Sequence, residues 1–509
     1  MKRKLISLAL IAMLLLALMP ALTLADGLNK DAPIVMWLPG NGAVSGFEEG
    51  ATENDNRFIN AIREKTGYKN LEVLIMPATD PESTMNLMLS SGDYPDVIYV
   101  NGLRAFFLRY QTEGLWAPVD EAIAAYGPEI TKLVTDEAWA TVQGEDGKHY
   151  GIPNPLHTSY NGHLLGGGIL YRKDIFDQLG REVPKTTEEF YELLKAVQEA
   201  YPDMIPYSYA GNTGDALVNP YFRSVFGMWT PYRVADDGTL ESTNRLYMKD
   251  FVAYMNRLYK ENLLDPEFLY QTGNNLNEKI INGKVFAWDG GVWGKIIRQT
   301  WESTGFEGQQ AFFPPLEGID GNTGGPMPFP VANCYMFPKT TKYMNEVVDL
   351  VNTFLSDKEL ETFVNFGIEG EHYTVNAEGA LEPKYPAYEN IIYKIYYRLW
   401  FKPDVWWNNA VLGDFVPEIK LYDEAYPEGP TLVNIFQYAP TNQAQLDYDT
   451  AVNDILHEYV AKIIVGDLSV DAVDEMFQKM DESGLKEIEA AAAAWYEKTG
   501  AGLAERFAK

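Results

Sequence analysis

Several groups of residues have the types and spacing for chemistry, and each points to a different chemistry. His149, His157 and His163 put three of the five histidines within 15 residues. Their spacings of eight and six place no two on one helix face, and no H-E-x-x-H run occurs, so zinc is not expected. Asp236-Asp237-Gly238 and Asp320-Gly321-Asn322 are fragments of a calcium loop without its closing glutamate, and they read better as turns. Gly40-Asn41-Gly42-Ala43-Val44-Ser45-Gly46 has the look of a dinucleotide loop. Gly50 and the acidic stretch behind it prevent an immediate helix, so a ligand-facing loop is expected there and no cofactor. With 72 Asp and Glu some pair of carboxylates must lie close, but no pair stands out by context as one for glycoside chemistry. No G-x-S-x-G elbow exists, so no catalytic residue is assigned.

The tryptophans say more. Trp37 closes an apolar run, Trp288 and Trp293 bracket Asp289-Gly290-Gly291, and Trp406-Trp407-Asn408-Asn409 follows a proline-containing turn. Indoles at strand ends and in glycine-rich turns, with Asn, Asp and Tyr nearby, suit sugar rings. The apolar sugar face meets the indole while its hydroxyls meet polar groups.

The elements that would position these residues are legible from periodicity. Ile34–Leu38, Leu71–Met76 and Asp96–Val100 read as strands, with helices at about 56–66 and 83–90 between them. That β-α-β-α-β order predicts an α/β fold with a parallel, doubly wound sheet, which receives ligands beyond the C-terminal ends of its strands. Those ends are Trp37 to Asn41, Met76 to Thr79 and Val100 to Gly102, which makes Trp37, Asn41 and Asn101 expected contacts. Gln143–Lys148 is a hairpin signal, and Gly151–Pro155 reads as an extended crossing. A second β/α region follows, with a strand at Ile169–Arg172 and a helix capped by Thr186 and Glu189. A further strand at Val285–Trp288 comes after a helix that ends at Gly283. Gly318–Pro330, rich in Gly and Pro, is a second crossing. Ser356 with Glu359 is expected to cap a later helix, and helices dominate after Ala444. Two crossings around a middle region predict two discontinuous lobes: 26–151 with 327–400, and 152–326 with 401–509. The cleft between them is the natural place for closure about a hinge.

Composition narrows the partners. The chain has 509 residues and a net charge of −31, a field that repels nucleic acid and anionic membrane surfaces. Lys2, Arg3 and Lys4, the apolar run Leu5–Leu18, and small residues at Thr23 and Ala25 predict an export signal cleaved near Asp26. Cys334 is the sole cysteine, so neither an internal disulfide nor lipid attachment near that cleavage site is expected.

Tyr171-Arg172-Lys173-Asp174 followed by Val183-Pro184-Lys185-Thr186-Thr187-Glu188-Glu189-Phe190 resembles the Y-R-K-D … V-P-x-T-x-E-E-F run of extracellular solute-binding proteins of family 1. Gly114–Asp120 is similar to that family's G-L-x-x-P-L-D, and Lys148–Pro153 to its K-x-Y-G-I-P. Leu264–Phe268 and Gly367–Thr374 look like the large oligosaccharide-binding lipoproteins of Gram-positive bacteria, which carry a cysteine where this chain has Asp26. The resemblance implies a two-lobed periplasmic-binding-protein fold of type II. It also implies a monomeric, exported, non-catalytic binding protein that delivers an oligosaccharide to a membrane ABC permease. Together the expected contacts are Trp37, Asn41, Asn101, Asn154, Tyr171, Asn212, Asp215, Trp288, Asp289, Trp293, Trp406 and Trp407. No cofactor or metal is expected; the alternatives are a secreted carbohydrate-active enzyme and a ligand-presenting partner of a membrane sensor.

Overall fold

Capping chemistry and a single apolar stripe define the first helix. Asn56 is extended, and its side chain accepts from the N–H groups of Phe58 and Ile59 at 2.9 and 3.0 Å, opening α1 (Arg57–Thr66). Gly67, at φ 78°, closes it, and Phe58, Ile59 and Ile62 are buried on the inner face. The structure is a computed structural model. It describes residues 27–39, 50–76, 81–101, 104–144, 146–155, 167–212, 217, 219–291, 294–323, 331–376, 381–384, 387, 416–427 and 434–507.

The first sheet contains β1 (Val35–Pro39), β2 (Glu72–Met76), β3 (Val97–Asn101) and β4 (Ile152–Pro155), with α2 (Pro81–Ser91) between β2 and β3. β1 pairs in parallel with β2 and β3, which is the expected β-α-β-α-β order. A strand that returns much later, Val331–Met336, then lies antiparallel to both β3 and β4. The segment expected to cross between lobes is thus extended, but it is a strand of this sheet. Alternation divides the side chains between two layers. Met36 and Leu38 pack with Phe58, Val73 and Tyr99 in one core, while Trp37 packs with Met76, Ile98 and Trp116 in another.

The second sheet has its own core. It is built from β5 (Gly167–Arg172), β6 (Ile205–Ser208), β7 (Val285–Gly291) and β8 (Gln310–Phe312), in the spatial order β8-β5-β7-β6. Only β6 and β7 are parallel, so both sheets are mixed α/β sheets. Between β5 and β6 lies α3 (Thr187–Ala200), whose N-cap Thr186 accepts from the Glu189 N–H at 3.1 Å. The Glu189 carboxylate in turn accepts from the Lys185 N–H at 2.7 Å. Phe190, Leu193, Leu194 and Val197 face the core, against α4 (Thr243–Lys260) and its Phe251 and Met255.

The strand corresponding to the late return is β9 (Val331–Met336), followed by α5 (Met344–Ser356) and α6 (Lys358–Phe366). Asp357, not Ser356, caps α6: its carboxylate accepts from the Leu360 N–H at 3.0 Å. Asp357 sits one residue nearer the free N–H groups, so its carboxylate reaches them, which the Ser-x-x-Glu spacing alone does not reveal. Gln143–Lys148 forms the expected tight turn, with the Gly144 N–H donating to Lys148 O at 2.8 Å. Asp236-Asp237-Gly238 is likewise a turn, closed by Thr239, whose N–H and hydroxyl both donate to Asp237.

The C-terminal part is helical. α7 (Val416–Ala425) lies on the second sheet through Glu418, a buried carboxylate that accepts from Arg298 at 2.8 Å and Gln310 at 3.1 Å. α8 (Gln443–Val465) begins with a reciprocal Asn442–Gln445 cap and packs along α4, where Asn256 donates to Ile463 O at 2.7 Å. After α9 (Leu485–Trp495) the chain reaches back to the first unit, where Arg506 pairs with Asp136 at 2.9 Å. Among the described residues no helix is long and apolar enough to cross a membrane.

Candidate functional site

A row of asparagines crosses the first sheet at the C-terminal end of β3. Asn101 is in register with Asn333 of β9, and Asn333 with Asn154 of β4. Asn154, 1% exposed, donates to the Tyr99 hydroxyl at 3.2 Å. The Oδ1 atoms of Asn154 and Asn333 are buried and accept no hydrogen bond from any described residue. An unmet buried acceptor costs about 1–3 kcal/mol, so two neighbouring ones suit a site that a hydroxyl-bearing ligand completes.

The second sheet carries a polar set at the matching place, beyond the parallel pair β6 and β7. Asn219 Nδ2 donates to the Tyr207 hydroxyl at 2.7 Å, and Tyr207 donates to Asp289 Oδ1 at 2.5 Å. Asn219 also caps the short helix behind it, accepting from the Phe222 N–H at 2.9 Å, and it holds φ at 42° to do both. That left-handed geometry is costly for most residues and least so for Asn. Burial pushes the Asp289 carboxyl up to about 7, opposed by the hydrogen bonds from Tyr207 and Asn219. The same burial, with Asp289 close by, raises the phenols of Tyr207 and Tyr209 well above their usual range.

Glycines allow close packing beside this set. Gly168 and Gly290 face each other across β5 and β7, and a Cβ at Gly168 would lie 2.4 Å from the Tyr426 hydroxyl. A Cβ at Gly290 would meet Leu170 at 2.8 Å. Asp289 can accept or donate toward a sugar hydroxyl near neutral pH, with tyrosine rings beside it.

The expected contacts separate into three groups. Asn101, Asn154 and Asp289 stand at the strand ends, and Asn212 is exposed on the bend after β6. Trp37 (4% exposed), Trp288 (2% exposed) and Tyr171 are core side chains. Trp37 stands within its strand opposite Leu74 and Ile98, Trp288 opposite Leu170 and Ser208, and Tyr171 stacks on Phe313 at 3.9 Å between ring centroids. These three expected contacts are therefore corrected: the two indoles and the Tyr171 ring pack within the cores. Asn41, Asp215, Trp293, Trp406 and Trp407 lie outside the described residues. Sequence reasoning missed Tyr207, Asn219 and Asn333. An isolated asparagine before Pro220, where backbone turns sharply, was the only signal for any of them.

Two separate mixed sheets with polar strand ends, joined by late-returning segments, are the geometry of a receptor for a small solute. The profile of the bacterial extracellular solute-binding protein family matches residues 64–361, more than half of the chain. The chain belongs to this family. This solute-binding protein is 24% identical over 334 residues to lipoprotein LipO of Bacillus subtilis, covering 62% of this chain and 63% of LipO. It is 28% identical over 224 residues to the fructooligosaccharide ABC transporter substrate-binding protein FusA of Streptococcus pneumoniae, covering 40% and 41% of the two chains. Both matches span less than two thirds of those relatives. The polygalacturonan/rhamnogalacturonan-binding protein YtcQ of Bacillus subtilis is 20% identical over 458 residues, covering 84% of this chain and 85% of YtcQ. The structure of FusA in complex with kestose superposes with a TM-score of 0.68 at 19% identity, covering 92% of this chain and 99% of that one. The fold is therefore the expected type II periplasmic-binding-protein architecture, and the family is one of extracellular binding proteins, not enzymes.

Proposed function

We propose that this solute-binding protein captures an oligosaccharide or glycoside between two lobes and hands it, unchanged, to a membrane ABC permease. The observation that carries this reading is the pair of polar strand ends, Asn101–Asn333–Asn154 on one sheet and Asn219–Tyr207–Asp289 on the other. Each sits on its own hydrophobic core, the arrangement that lets two rigid bodies close around a ligand. The first lobe would hold residues 26–151 and 327–400, and the second 152–326 and 401–509. Asn41, Asn212, Asp215, Trp293, Trp406 and Trp407 complete the proposed contact set, with the last three supplying the stacking surfaces. FusA, named as a fructooligosaccharide-transporter binding protein, and YtcQ, named as a polygalacturonan/rhamnogalacturonan-binding protein, support a carbohydrate ligand.

The protein is of an extracellular family, and we take it to act as a monomer without nucleic-acid partners. Retention through a lipidated cysteine is not part of the proposal, because the sole cysteine, Cys334, is buried in β9. A thermal-shift screen over plant and microbial oligosaccharides tests the reading, with the recovered sugar analysed by mass spectrometry. A raised melting temperature with intact ligand is expected. Turnover of the sugar would make the protein a carbohydrate-active enzyme instead.

A further inference from the structure

A cavity of about 720 Å³ opens where the C-terminal helices meet both units, and none of its lining residues belongs to either strand-end set. One wall is a face of α8, where Gln445, Asp449 and Asn453 stand one turn apart beside Val452 and Leu456. A second wall is aromatic. The Tyr232 ring meets Phe436 at 4.9 Å between centroids, and Phe436 meets Trp495 at 5.6 Å. The first unit contributes Gln143 and Gly147 from its tight turn.

Asp449 stands out in this wall. Its carboxylate has no hydrogen bond or ion pair with any described residue, although it is more than half withdrawn from water. Burial alone pushes it up to about 6. Arg245 is taken up by Asp481 and by Glu489 at 2.8 Å. Lys498 also lines the cavity. A half-buried carboxylate without a partner is costly, and evolution retains such groups where something arrives to pair with them. A carboxylate and three aromatic rings lining one cavity are the chemistry that recognises an ammonium group, through charge and through the ring faces. The net charge of −31 raises the local concentration of cations around the whole molecule.

We propose that this cavity is a second ligand site, for a small organic cation whose ammonium head sits on Asp449 against the Tyr232–Phe436–Trp495 wall. The site is independent of the strand-end site and takes a different chemical class of ligand. Its walls come from both units, so the occupant also rests against the turn of the first unit.

Calorimetric titration of the whole protein with choline, in the absence of sugar, tests this directly. Saturable binding of choline is expected. The neutral isostere 3,3-dimethyl-1-butanol should bind at least tenfold more weakly. Asp449→Asn, which removes charge but no existing hydrogen bond, should weaken choline at least tenfold, and Trp495→Leu should weaken it severalfold. No saturable choline binding, equal affinity for the neutral alcohol, or unchanged affinity in Asp449→Asn would each overturn the proposal. The comparison of choline with the alcohol uses the parent protein, so it stands even where a variant misfolds.

Discussion

Replacing Asp289 by Asn removes one ionisable group and little else, because an amide Oδ1 can still accept from Tyr207. In the folded protein the Asp289 carboxyl titrates at about 7, against an ordinary 3.8 when the chain is unfolded. The folded state therefore holds this proton more tightly than the unfolded state. Stability from the group is fully present below the unfolded value and is lost as pH rises toward 7. About three units at 1.36 kcal/mol each put the loss at roughly 4 kcal/mol by pH 8.5. For a unit of this size that corresponds to about 10 °C in melting temperature. Asp289→Asn carries no such loss. Calorimetric melts of parent and variant at pH 5 and pH 8.5 isolate this group, since all other titrations cancel in the difference. The variant should gain on the parent by several degrees between the two pH values. A difference that stays constant across that range would refute the account of Asp289 as a buried, proton-holding carboxyl.

Other expectations follow from the same packing. Trp288→Ala should destabilise the protein by about 3–5 kcal/mol, read by urea unfolding, because the indole fills a core. Trp406→Ala should instead leave the melting temperature unchanged and weaken oligosaccharide binding at least tenfold in calorimetry, as loss of one central stacking anchor does. Gly168→Ala should cost about 1–3 kcal/mol, and Tyr426→Phe should recover part of it, because the new Cβ collides with that hydroxyl. Arg298→Ala should lower stability by about 3–5 kcal/mol, whereas the double change with Glu418→Gln should lose less, since the buried carboxylate is then no longer stranded.

The legible parts of this molecule were those encoded locally. β1, β2 and β3 follow from short β-rich runs separated by an amphipathic helix, and α3 from the Thr186–Glu189 cap with its apolar stripe. What the strands point at was not legible. Trp37 and Trp288 lie in strands with a packed layer on each face, so neither face is marked by polar alternation. The site partners are also remote in sequence. Asn333 is brought beside Asn154 by the late return of β9, and Tyr207, Asn219 and Asp289 meet across 82 residues. No spacing rule encodes such a meeting. The position of β4 was obscured for a related reason: Pro153 and Pro155 read as a crossing, yet β9 supplies a partner that tolerates them.

The central claim is that two rigid units close on a sugar. Small-angle X-ray scattering of the protein, alone and saturated with an oligosaccharide found in the thermal-shift screen, tests it most directly. Contacts to both units stabilise only the closed form, so the radius of gyration should fall on saturation. An unchanged scattering profile in the presence of demonstrated binding would contradict capture between closing lobes.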